Sequence, residues 1–588
     1  MKRWVLTTMA SLLIAATWGS AAGASAASGA GNATQETQVA GNRSVDSRMQ
    51  EAIEAFLKSA PPTEATVLNV KSAAFGAIGD GVADDTAAIQ KALDQARAQG
   101  GGVVYLPEGT YKTSKNLYVY SKTKVTGHAA KVSKIDTDDG YAVFEIAAEQ
   151  REVVIDGLWI DNNKSSGNIG VDFQTNVSKV WITNNTFTGI HTQSVNINAT
   201  GVKQIQVSGN HFEEVAYGVL TNLLATDVAD VRVVNNQFIN IHGDAIELNH
   251  PGEAYASGMN FVIAGNYMSV PPGFGGSGGA GFGIGIAGAT HVTIMGNVIE
   301  NARYEAIHIE DEAKHITIVG NVINGVKAEP DFNLNSGVYV IDGDYITVSG
   351  NAIRGAADYG VHFEYAPDRE ATHAVVTGNT ITDGGQGGIR IAGYTGESNI
   401  VVSQNIVTDN EGNGIELAGD LRNVKVTDNV VKNNTGYGLF LEHSGRGWHL
   451  AGNAFYGNGA GDIGFGSGYA VPVPLRDQTA LIEETVSVAE GDEASRYTAW
   501  RDAFSLGSGA EGVLYVTAVR DGNRSTKMYR LSWDGTTLAT TQIAHDGQGA
   551  IEVDTPSMNG KRLQVRSYHL ASGNVWTEVQ FEGIIMLK

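Results

Sequence analysis

The chain has 588 residues, no cysteine, 74 glycines and a formal net charge of −23. That charge argues against a nucleic-acid partner, whose binding rests on neutralising phosphates, and a chain without cysteine must be held by its core and not by disulfides. Abundant glycine with only 11 prolines predicts many tight turns instead of long helices.

In chain order, Lys2 and Arg3, an apolar run from Trp4 to Trp18 and small residues at Ala22–Ala26 read as a signal peptide over residues 1–27. The protein is therefore expected to be secreted. No later stretch approaches the roughly 20 apolar residues of a membrane span. Residues 28–65 read as a polar linker with a short amphipathic helix over 46–59, closed by Pro61-Pro62.

The segment from Asn69 to Ser114, NVKSAAFGAIGDGVADDTAAIQKALDQARAQGGGVVYLPEGTYKTS, contains one helical stretch, TAAIQKALDQARAQ. Asp84-Asp85 reads as its N-cap and not as a catalytic acid pair, and Gly100-Gly101-Gly102 ends it. Such a helix would plug the open end of a solenoid. The whole segment resembles the N-terminal signature of the pectate-lyase-like, rhamnogalacturonase- and epimerase-like β-helix superfamily. The resemblance implies a right-handed coil and carbohydrate substrates. It does not select a reaction, because that superfamily includes hydrolases, lyases, epimerases, phage tailspikes and binding proteins.

From there an alternating segment ending in Asn recurs about every 27 residues, at Asn185, Asn210, Asn236, Asn266, Asn297, Asn321, Asn351, Asn379, Asn405, Asn429 and Asn453. Period-two alternation punctuated by Gly, Asn and Asp excludes the helical repeats. Units this short bury an apolar face only by stacking, so residues 66–475 are predicted to form a parallel β-helix with the asparagines as an inward ladder. Residues 476–588 lack the repeat and read as an antiparallel β-sandwich. Its Trp500, Trp533 and Trp576 suit core packing better than sugar stacking.

Each coil also carries the pattern small, aliphatic, x, aliphatic: DAIEL, EAIHI, YGVHF, GGIRI, NGIEL, YGLFL. The aliphatic residues must face the core, so x faces outward and is expected to be exposed. Eleven residues beyond the ladder Asn, x is Asn196, Glu247, His308, His362, Arg390, Glu416, Phe440 and Gly464, with Leu220, Gly285 and Tyr339 joining after small length corrections. Glu310, Glu364 and Glu442 form a second outward line two residues on. Longer loops such as NHPGEAYASG, PPGFGGSGGAGFG, VKAEPDFNLNSG and EYAPDREATH flank this stripe, centring a cleft on residues 247–390.

The polygalacturonase set is incomplete here. Arg390-Ile391 is followed by Ala392 where that family has Lys, Gly243-Asp244 stands where an acid pair is expected, and Gly-His-Gly is absent, as is the Asp-Pro-His-Glu motif of mannuronan epimerases. Two enzymatic readings stay open on a polysaccharide substrate. In β-elimination, His308 or His362 is the base, Tyr339 the acid and Arg390 the carboxylate clamp. In hydrolysis, two of Glu310, Asp342, Asp344, Glu364 and Glu416 flank the bond. Glu247, Asn249, His250, Glu442 and Asp342 are expected to bind substrate, and Asp311, Asp342 and Asp344 are candidate oxygen ligands for Ca²⁺. A non-catalytic carbohydrate-binding β-helix is the different-class alternative. No oligomeric state is legible.

Overall fold

The computed structural model describes residues 67–468, apart from 131, 138–139, 163–167, 222–226, 251–259, 271–280, 328–334, 366–372, 394–398, 420 and 444–448, and the C-terminal stretches 481–487, 501–505, 510–520, 523–548, 551–559, 562–565, 567–569 and 578–587. The leader, the linker, the 46–59 helix, Trp500, Trp576 and the central parts of the four long loops lie outside the described residues.

The strands from Val67 to Gly468 form three parallel sheets of 15, 15 and 14 strands. A typical coil gives Lys314–Val319 to the first sheet, Val322–Val326 to the second and Val338–Ile341 to the third. Alternation explains this assignment: Ile316, Ile318, Ile323, Val338 and Val340 all point into one core that runs from Leu68 to Ile463. The chain is thus a parallel β-helix.

Between the first and second sheets the chain turns at the ladder Asn, where backbone groups would otherwise be orphaned. Asn321 is fully buried and occupies every one of its polar atoms. Its Nδ2 donates to the Ile294 carbonyl at 3.0 Å and to Asn351 Oδ1 at 3.0 Å, while its Oδ1 accepts from the backbone N–H and side-chain amide of Asn297, both at 2.9 Å. The same exchange links each rung from Asn185 to Asn453. A second ladder, Asn410 to Asn434 to Asn458, joins the last coils at the next turn.

The small residue ahead of each third-sheet motif is required by packing. A Cβ on Gly360 would lie 2.2 Å from Ile381 Cγ2, and one on Gly388 would lie 2.2 Å from Val407 Cγ1. Here the third sheet approaches the side chains of the second too closely for any larger residue.

The helix Thr86–Ala98 packs Ile89, Ala92, Leu93 and Ala96 against the strands Gly102–Leu106 and Leu117–Val119. Its two acidic residues divide the work at its start. Asp84 Oδ1 accepts the N–H of Thr86 at 2.9 Å, whereas the buried Asp85 reaches back to the N–H groups of Ile78 and Gly79, at 2.6 and 3.0 Å. At the other end Gly101 donates to the Ala96 carbonyl, and Gly100 has φ +81. C-terminal of the coils, the described strands form antiparallel sheets of five, three and two strands, with Trp533 buried.

Replacing Asn321 with Leu would strand the backbone N–H of Asn297 and the Ile294 carbonyl, and would remove one of the two bonds to Asn351 Oδ1, which keeps the backbone N–H of residue 321. Unfolding in denaturant should therefore show a loss of roughly 3 kcal/mol, since each stranded buried group costs about 1–3 kcal/mol before relaxation. An unchanged midpoint would refute a buried ladder.

Candidate active site

The third sheet carries the outward line in strict register. Glu247 pairs with Gly285, Gly285 with His308, His308 with Tyr339, Tyr339 with His362, His362 with Arg390, and Arg390 with Glu416. Phe440 and Gly464 continue it downstream. Upstream it passes through Leu220 and Asn196 to Asp172, Glu145 and Tyr118, three positions the Asn spacing did not reach because the ladder begins at Asn185.

These side chains are outside the core yet not exposed, which corrects the sequence expectation. Relative exposure is 8% for His308, 1% for Tyr339 and 6% for His362, and Glu416 is also buried. Part of the cover comes from residues three positions before the line. Phe282 stacks on the His308 ring at 4.4 Å, and Tyr359 stands 5.0 Å from His362 between ring centroids. Asp244, Phe282, Glu305 and Tyr359 were missed as site residues, although Asp244, Glu305 and Tyr359 are the residues immediately before the small one in DAIEL, EAIHI and YGVHF.

The two histidines end up in opposite charge states. Burial alone would lower the His308 pKa, but Glu305 Oε2 lies 3.7 Å from Nδ1 and Glu310 Oε2 lies 3.2 Å from Nε2, and the two carboxylates push it up to about 9. His362 has no such help. Burial, with the Arg390 charge behind it, depresses its pKa to about 3, and Glu364 stays 3.9 Å away. Between them Tyr339 donates to Glu364 Oε2 at 3.1 Å, and burial next to that carboxylate raises its phenol well above the ordinary range. Arg390 is ion-paired with Glu416, which also accepts from Asn413 Nδ2 at 2.8 Å.

At the upstream end, buried Asp244 uses Oδ1 to accept the N–H groups of Gly281 and Phe282, at 2.7 and 2.8 Å. Its carboxyl also hydrogen-bonds to that of Glu247. Burial and the Asp244 charge raise the Glu247 pKa, and Asn249 Nδ2 donates to Glu247 Oε1.

Other expected roles do not assemble. His250 is fully buried and is unavailable to a substrate, while Glu442 is half-buried beyond Glu416. Asp311, Asp342 and Asp344 do not gather as a calcium site: among the described residues no three His, Asp or Glu side chains could hold a metal ion. Asp311 and Asp342 sit in left-handed turns, and Asp344 lies 3.6 Å from His373 Nδ1.

This fold carries a continuous line of titratable side chains along its third sheet. Residues 67–331 match the family described as rhamnogalacturonase A/epimerase, pectate lyase-like, and residues 331–472 match the right handed beta helix region. The chain belongs to this pectate-lyase-like, right-handed parallel β-helix superfamily. It is similar to mannuronan C5-epimerase AlgE1 of Azotobacter vinelandii, with 46% identity over 80 residues covering 12% of this chain and 6% of the relative. Alginate lyase 7 of the same organism is 42% identical over 80 residues, covering 12% and 9%. The chain thus aligns with less than a tenth of the length of these curated relatives. The crystal structure of PfbA, a surface adhesin of Streptococcus pneumoniae, superposes over 68% of this chain and 93% of that chain, at 18% identity and a TM-score of 0.40.

Imidazole resonances followed by NMR should show His308 protonated at neutral pH and His362 neutral down to about pH 3. Because the His308 pKa is raised on folding, its contribution to stability is complete below about 6.5 and lost as pH rises through about 9. The gap in denaturation midpoint between the native chain and His308→Gln should close over that window. A gap independent of pH would contradict the charged assignment.

Proposed function

We propose that this chain is a secreted polysaccharide-modifying enzyme that cleaves uronate-containing glycans by β-elimination in the third-sheet cleft. The observation that supports it best is the run of His308, Tyr339, His362 and Arg390 on consecutive coils, with one imidazole charged and the other neutral.

In this reading the neutral His362 takes the proton from carbon 5 of the uronate. The C4–O bond then breaks as the C4–C5 double bond forms, and Tyr339, which keeps its proton at neutral pH, gives it to the leaving oxygen. His362 can return its proton to the Tyr339 phenolate, as the rings lie 5.0 Å apart between centroids. Charged Arg390, one coil beyond His362, stabilises the negative charge that builds on the uronate carboxylate. Glu310, Glu364 and Glu416 already serve His308, Tyr339 and Arg390, which makes them positioning residues.

Hydrolysis is the second reading, favoured by the hydrogen-bonded Asp244 and Glu247 carboxyl groups, since an acid that keeps its proton suits a leaving group. Their mutual contact weighs against it, because carboxyl groups that flank a glycosidic bond stand about 5–9.5 Å apart.

Incubation with plant, algal and bacterial glycans should release products that absorb in the ultraviolet as unsaturated uronates. His362→Ala should lower turnover by about 10² or more. Arg390→Lys should also be damaging, because an ammonium cannot form two parallel bonds to a carboxylate. His362 is buried, so melting will shift in its variant and activity must be compared on folded protein. New reducing ends without ultraviolet absorbance, lost on Glu247→Gln and kept in His362→Ala, would replace elimination with hydrolysis.

A further inference from the structure

Resting on the reading of the third sheet as a glycan cleft, we propose that Phe282, held by Asp244 and flanked by Glu247, is the stacking platform of a subsite for an uncharged sugar unit. The phenylalanines that fill the coils, such as Phe187, Phe212 and Phe238, are fully buried, whereas Phe282 is half-exposed on the outer surface. It is nevertheless held firmly. One face lies on the His308 ring at 4.4 Å and 10° between planes, and its backbone is fixed by the bonds from Gly281 and Phe282 to Asp244. A buried carboxylate is costly unless hydrogen-bonded. Here its bonds set the position of a half-buried aromatic ring on the outer surface, which the core does not need.

The floor beside the ring is buried and carries no side chain of its own. Gly285 replaces a side chain in the outward line, and a Cβ there would stand 3.4 Å from the Phe282 ring and 3.7 Å from Glu247 Cγ. An aromatic face next to the Glu247 carboxyl, which the buried Asn249 amide orients, matches a sugar ring, which offers an apolar C–H face and a rim of hydroxyls.

The electrostatics choose among sugars. Asp244 and Glu247 share a hydrogen bond and so retain one negative charge between them, while Glu305 and Glu310 balance and exceed the single charge of His308. A uronate carboxylate would be repelled from this end of the cleft, and hydroxyl groups would be accepted. Tyr339 and His362 lie two and three coils further on, about 10 and 14 Å along the axis at ~4.8 Å per coil. A chain lying along the cleft then places a neutral unit on Phe282 and a uronate at His362. The substrate class that fits is a mixed glycan of uronate and neutral units, as opposed to a homopolyuronate.

Electrophoresis of the native chain in gels cast with mixed polymers, such as hyaluronan and xanthan, or with the homopolymers polymannuronate and polygalacturonate, tests this without relying on turnover. At least one mixed polymer should retard the protein more than either homopolymer. Phe282→Ala should weaken that retention about tenfold in apparent Kd, compared on folded protein because the ring also covers His308, and Phe282→Trp should restore it. Equal retention by Phe282→Ala, or stronger retention by a homopolyuronate, would overturn the subsite while leaving the elimination mechanism untouched. If no polymer retards the native chain, the cleft reading falls with it.

Discussion

Each coil is bound to the next by backbone hydrogen bonds whose register the asparagine ladder allows in one alignment only, because each Asn amide bridges the rung on one side and the turn backbone on the other. A slip of one residue would turn every inward Ile and Val outward and break the ladder at the same time. Side chains separated by about 27 residues of sequence are therefore held one coil spacing apart. No loop has to fold correctly to bring His308, Tyr339, His362 and Arg390 together, since the scaffold does so while forming its core.

Burial then changes what those groups are. Two histidines on the same line, one coil apart from the same tyrosine, differ in charge because one has two carboxylates within ion-pair range and the other has an arginine behind it. The acidic residues of the line act mainly through this effect. Glu310 is itself held below the ordinary carboxylate range by His308, and Glu364 and Glu416 fix a phenol and a guanidinium. A net-acidic chain thereby carries one cationic and one neutral imidazole on a single line of its third sheet.

The coil period, the ladder and the identity of the line from Glu247 to Glu416 were legible because they depend on spacing and alternation, which a linear sequence records directly. Burial was not legible. His362 reads as exposed from alternation, yet Tyr339 and Tyr359 close around it from neighbouring positions. Phe282 was equally hidden, since it belongs to a glycine-rich stretch with no periodic signal, although it covers His308. The supposed calcium ligands failed for the opposite reason. Asp311, Asp342 and Asp344 are close in kind and in coil number, but Asp344 faces His373, and among the described residues no three such side chains gather for a metal ion. The helix Thr86–Ala98 starts directly after Asp84 and Asp85, and Asp85 bonds backward to the preceding loop instead of onto the helix.

The stack also has an order of disassembly. A coil inside it is held on two sides and a terminal coil on one, so local opening in such a solenoid starts at the ends and moves inward. The ladder runs from Asn185 to Asn453, and the line from Glu247 to Glu416 falls within it, with further coils on either side. Fraying thus consumes the outer coils first, and the line from Glu247 to Glu416 is among the last parts of the coil stack to lose its geometry.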